Sequence, residues 1–253
     1  MYFAKHGAGE NVFVGLHGWS GDHSTFSPLV RYIPDNAVFY SADLPGTGKS
    51  PALKDLTIEN LAAAIAEGIQ SLSHSQITIL GSCSGGLFGL FAVKHLLETG
   101  QPELVKRIVI IDPYAYFPWY FNLFVAPQMG KIGWYAYYTT FANPIGRWMT
   151  NLSLRKHRAN DAHLTRSFAE TNHQTTYRYL QLLVEGGGAK QFNCIPIPIV
   201  IVYGEKTFSA VRKSLSLWKE ILPNVTFLEL NGAGHLPIEE ATSDLANILF
   251  IDE

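Results

Sequence analysis

The segment 77–86 constrains the fold more than any other part of the chain. An apolar run, Ile77-Thr78-Ile79-Leu80, leads directly into Gly81-Ser82-Cys83-Ser84-Gly85-Gly86, and a helical pattern begins at Ser84. A strand that becomes a helix within so few residues makes a sharp, strained turn whose flanking positions must be very small. Gly81 and Gly85 stand two residues either side of Cys83 and put its side chain at the tip. Centring the turn on Ser84 fits less well, because Ser82 would stand where a glycine is needed. A free cysteine also serves as a small core hydrophobe, so a reactive role needs support from the rest of the chain.

The surrounding pattern is a strand–helix alternation. Short apolar runs predict strands over 11–16, 37–42, 77–80, 107–111, 197–203 and 225–230. Between them, helical spacing predicts helices over 24–33, 57–72 with Thr57 as the cap, 84–97, 209–221 and 238–250. Near-continuous apolar strands separated by helices predict an α/β fold, a mainly parallel sheet covered on both faces. From Tyr114 to about Phe192 no strand is expected, and aromatics crowd it from Tyr114 to Trp148. The expected organisation is a core of residues 1–113 and 195–253, interrupted by a helical cap or lid over 114–194.

Composition excludes several classes. Nineteen Lys and Arg against 21 Asp and Glu give a net charge of −2, so the average charge offers no footprint for nucleic acid or an acidic membrane surface. Cys83 and Cys194 could form at most one disulfide, which rules out a disulfide scaffold. No apolar stretch approaches the ~20 residues of a membrane-spanning helix, and the first ten residues lack a signal-peptide pattern. A cytoplasmic protein is expected.

Three further motifs follow expected strands: His17-Gly18-Trp19, Asp43-Leu44-Pro45-Gly46-Thr47-Gly48-Lys49-Ser50, and Gly232-Ala233-Gly234-His235. With the turn at Cys83 they resemble the α/β-hydrolase superfamily over nearly the whole chain, the insertion excepted. The resemblance implies an α/β-hydrolase fold with Cys83 as nucleophile and His235 as base. It also implies an oxyanion hole from the backbone N–H groups of Trp19 and Ser84. The acid departs from the common pattern. After strand 197–203 the family usually places a carboxylate where this chain has Gly204-Glu205-Lys206-Thr207. Some members carry the acid after the preceding strand instead, which Asp112 matches; Glu205 is the fallback. Gly48-Lys49-Ser50 is no phosphate loop, since Asp43 replaces its first glycine and Pro51 follows instead of a helix. No cofactor or metal is implied.

A thiol at the tip narrows the substrate. When a thiolate attacks an ordinary ester, the lower-pKa sulfur leaves more readily than the alkoxide, and collapse to reactants competes. Against a thioester the leaving groups are matched. The Gly-x-Cys-x-Gly-Gly box is similar to that of polyhydroxyalkanoate synthases, which use acyl thioesters. A hydrophobic acyl thioester or activated ester is therefore expected, with coenzyme A or a carrier protein as the expected means of delivery. Trp119, Tyr120, Trp134 and Tyr138 are expected to line its pocket. Hydrolysis, transfer of the acyl group to a non-water acceptor (acyltransferase or cyclase), and ligand binding without catalysis all remain open.

Overall fold

A computed structural model describes residues 1–158, 163–222 and 224–250. Seven strands form one sheet: β1 (Tyr2–Gly7), β2 (Asn11–Leu16), β3 (Ala37–Asp43), β4 (Ile77–Ser82), β5 (Val105–Ile111), β6 (Ile199–Gly204) and β7 (Thr226–Leu230). Their order is β1-β3-β2-β4-β5-β6-β7, with β4 at the centre. Every pair is parallel except β1 with β3. The sequence reading missed β1. It is a half-buried edge strand with the polar Lys5 and His6 and lacks the apolar run that marks its neighbours.

Side chains alternate between two buried faces, as a doubly covered sheet requires. Val12, Val14 and Leu16 join one core with Ile108 and Ile110; Phe13 joins the other with Val109 and Ile111. The first core is closed by α1 (Ile58–Ser71), by α2 (Ser84–Glu98) and by Trp218 of the helix Ser209–Ile221. The second is closed by Phe26 and Leu29 and by Leu245 and Leu249 of the helix Thr242–Phe250.

Two expected helices differ in detail. The segment 24–33 is a 3₁₀ helix, His23–Tyr32, with Pro28 inside it. A proline there supplies no N–H for an α-helical bond. The expected helix 238–250 is two pieces, Pro237–Glu240 and Thr242–Phe250, split at Ala241. Thr57 does cap α1, its side chain accepting from the Asn60 N–H.

Between β5 and β6 lies the helical segment. It contains the helices Asn122–Val125, Gly130–Tyr137, Pro144–Ser153 and His173–Glu185, and no strand among the described residues; 159–162 lie outside them. It has a small core of its own, Tyr137, Phe168 and Leu180. Trp19, from the loop after β2, reaches into that core. Its ring stands 4.8–4.9 Å from Phe168 and Phe141, and its Nε1 donates to the Thr176 carbonyl at 2.8 Å.

Candidate active site

The turn from β4 into α2 carries the strain anticipated for it. Cys83 has φ +48°, a left-handed value that a side chain adopts only where its surroundings impose it. The neighbours leave no alternative. A Cβ on Gly81 would overlap the Gly86 backbone, one on Gly85 the Leu16 carbonyl, and one on Gly86 the Ile110 side chain. The backbone can therefore turn at Cys83 because the glycines around it let β2, β5 and α2 approach closely. The Cys83 N–H donates to the Ile111 carbonyl at 2.7 Å, fixing the tip against the end of β5.

Asp112 is the next residue after β5 and has φ +50°. It is buried, and its carboxylate is fully engaged. Oδ1 accepts from the Gly204 N–H at 3.1 Å. Oδ2 accepts from Thr207 Oγ1 at 2.5 Å and lies 2.9 Å from His235 Nδ1. Glu205 goes elsewhere: its Oε2 accepts from the Gly232 N–H at 2.7 Å, on the surface. The His235 loop is held by the helical segment, with the His235 N–H donating to the His157 carbonyl at 2.9 Å. Phe208 packs on the imidazole with ring centroids 4.3 Å apart.

The side chain of His235 is 13% exposed. Burial by itself disfavours the imidazolium. Hydrogen bonds to Asp112 and Cys83, with their negative charges, outweigh it and push His235 up to about 10. Tyr114, 6.3 Å from the imidazole ring, is shifted well upward, first by burial and then by the charge of Cys83.

Cys83, His235, Trp19 and Ser84 line one cavity of about 1800 Å³ between the sheet's carboxyl ends and the helical segment. The N–H groups of Trp19 and Ser84 donate to no described residue. Gly18 is pressed against the turn: a Cβ there would lie 3.5 Å from the Cys83 Cβ.

A family model described as the alpha/beta hydrolase fold matches residues 11–242. The chain belongs to the α/β-hydrolase family. Among relatives, a pimeloyl-[acyl-carrier protein] methyl ester esterase of Yersinia pseudotuberculosis is 21% identical over 98% of this chain and 95% of its own length. A serine hydrolase-like protein of Danio rerio is 29% identical over 41% of this chain, and a pimeloyl-[acyl-carrier protein] methyl ester esterase of Neisseria meningitidis is 28% identical over 53%. The chain spans less than half the length of these last two, 31% and 41%. Among solved structures, an esterase from Thermogutta terrifontis superposes with TM-score 0.75 at 15% identity, covering 98% of this chain and 90% of that one. The enol-lactonase of Burkholderia xenovorans LB400 gives 0.72 at 15%, covering 98% and 94%. At such identities these likenesses show the fold alone.

Within this hydrolase fold the expected pocket aromatics divide. Tyr120 lines the cavity; Trp119, Trp134 and Tyr138 do not. Trp119 is 74% exposed, whereas Trp134 stacks on Tyr137 and packs against Tyr138 and Tyr177 outside the cavity wall. The apolar wall is built instead from Phe117, Phe121, Phe124, Phe141 and Phe168. A dense aromatic run could not be resolved in sequence because its short helices turn neighbouring rings in different directions. Thr207, His157 and Phe208 were also missed. Thr207 marked a missing carboxylate in the sequence, yet its hydroxyl is what grips Asp112.

Proposed function

We propose that the protein is a cysteine-nucleophile hydrolase that cleaves a hydrophobic acyl thioester or activated ester through an acyl-enzyme. The observation that carries this reading is Cys83 held at a left-handed tip, opening on the same cavity as a His235 imidazole bound to buried Asp112. The thiolate is the reactive form of a cysteine nucleophile, and His235 is the group beside it that exchanges its proton. Sγ of Cys83 attacks the acyl carbon, and the oxyanion is met by the N–H groups of Trp19 and Ser84. Collapse expels the leaving thiolate, which takes its proton from His235. The neutral imidazole then accepts a proton from water as that water attacks the acyl-enzyme, and collapse releases the acid and Cys83. Asp112 fixes the tautomer throughout. The helical segment 114–194 serves as a lid whose phenylalanines receive the acyl chain.

Relatives whose names specify an ester carried on acyl-carrier protein support a substrate delivered on a carrier protein. A cysteine departs from a plain methyl ester, because alkoxide expulsion competes poorly with return of sulfur. Transfer to a second substrate is the other reading. The cavity exceeds the roughly 300–1000 Å³ of an ordinary small-molecule site, and part of its wall is polar, with Arg31, Arg166 and Glu239. The test is an activated acyl thioester with intact-mass detection. Wild-type protein should show a burst and a mass increase on Cys83, and C83A neither. Normal turnover by C83A overturns the reading. Product analysis with water as the sole acceptor separates hydrolysis from transfer.

A further inference from the structure

The average charge of the chain conceals an asymmetry. Residues 114–194 hold eight Lys and Arg against three Asp and Glu, and from Pro113 to Asn160 there is no acidic residue at all. The rest of the chain holds eleven against eighteen. The same segment carries the exposed apolar surface. Among the described residues, every large apolar side chain that is half or more exposed lies between 119 and 152.

The helix Pro144–Ser153 is amphipathic in the reverse sense. Ile145, Trp148, Met149 and Leu152 recur at i, i+3, i+4 and i+7, one face of a helix, and are 69%, 65%, 59% and 52% exposed. The inward face is polar. Asn151 is buried, its side chain bonding His163 Nδ1 at 3.0 Å and accepting from the Leu164 N–H at 3.1 Å. A helix that spends its polar residues inward and its apolar residues outward is built for a partner that is itself apolar. Exposed Arg155 and Lys156 follow directly after it, and exposed Lys131 precedes Ile132, which is 66% exposed.

We propose that this outer face docks on an anionic lipid surface. Trp, Ile, Leu and Met beside Lys and Arg are the composition of a helix lying in the membrane interface, where apolar side chains enter the acyl boundary and cations meet acidic headgroups. A second copy of this chain fits poorly, because an isologous contact would set cations against cations. Docking here would place the segment between the lipid and the cavity beneath it, so that a carrier-bound acyl substrate is met at the membrane surface. That last step rests on the proposed function; the docking itself does not.

The test is flotation with phosphatidylcholine vesicles, with and without phosphatidylglycerol at about one part in four. Wild-type protein should partition at least about tenfold more strongly onto the anionic vesicles, and added salt should reduce this. The pair W148S/M149S and the pair R155E/K156E should each lower partitioning by about tenfold or more. Neither pair lines the cavity, so turnover of a soluble activated thioester should stay at the wild-type rate. C83A should float like wild type even if the proposed chemistry is wrong. Equal partitioning by wild type and both pairs overturns the proposal. So does a stable dimer in sedimentation velocity that W148S/M149S dissolves, or saturable binding to an acidic protein with no retention on anionic vesicles.

Discussion

Replacing Asp112 by Asn tests the orientation of His235 at a single atom. In the native site Oδ1 accepts from the Gly204 N–H, and Oδ2 accepts from Thr207 Oγ1 and His235 Nδ1. An amide has only one oxygen. Gly204 N–H can only donate, so the oxygen is retained in the Oδ1 position and the NH₂ group faces His235. The opposite flip buries two donors against each other, at a cost of about 1–3 kcal/mol. With NH₂ facing it, Nδ1 must present its lone pair. The imidazole proton then moves to Nε2, the nitrogen that should receive the proton of Cys83. Loss of one hydrogen bond to a charged group is worth about 1.5–3 kcal/mol, or roughly 10- to 200-fold in rate. The full tautomer penalty in a serine triad reaches ~10⁴, and a thiolate needs less help than an alkoxide. D112N should therefore lower kcat/KM between about tenfold and ~10⁴-fold. It should also slow iodoacetamide alkylation of Cys83 near neutral pH. The control is E205Q, which removes only a surface charge beside the Gly232 N–H and should stay within about twofold. Near-wild-type kcat/KM in D112N, or an equal loss in E205Q, would refute this role for Asp112.

Thr207 should act as a positioning residue. T207V removes the hydroxyl at nearly constant volume and should lower kcat/KM by about tenfold or more with KM nearly unchanged, whereas T207S should retain most activity. A KM-only effect would assign Thr207 to substrate binding. The raised His235 gives a signed pH dependence. Its contribution to stability is whole below about 6.5, its ordinary value, and is lost as pH rises through about 10. The stability deficit of H235Q in urea should accordingly be larger at pH 6.5 than at pH 9.5; a deficit that grows with pH contradicts the assignment. W19F keeps an aromatic ring, a smaller one, but loses the bond from Nε1 to the Thr176 carbonyl. It should cost about 1 kcal/mol and speed proteolysis within 114–194, measured by limited digestion. Unchanged digestion would mean that the indole does not pin the segment.

What the sequence made legible follows from how local its causes are. The strands β2 to β6 are runs that neighbours on both faces force to be apolar, so each could be placed within a few residues. Cys83 was legible because the steric demand sits on Gly81, Gly85 and Gly86, within three residues of it. Asp112 was legible only as one of two carboxylates. The choice between them depends on Thr207 and Gly204, which are 95 and 92 residues away in the chain and adjoin Asp112 only because β5 and β6 are neighbours. The aromatic insertion was the least legible part. Periodicity assigns an apolar residue to the inside, and along Pro144–Ser153 that inference is inverted: Asn151 is inside while Trp148 is outside. Inversion on one helix face is not noise in the pattern. It is the pattern of a surface whose inside lies in another phase, and the absence of any acidic residue from Pro113 to Asn160 fits that account, since a merely misplaced core face would carry no charge preference.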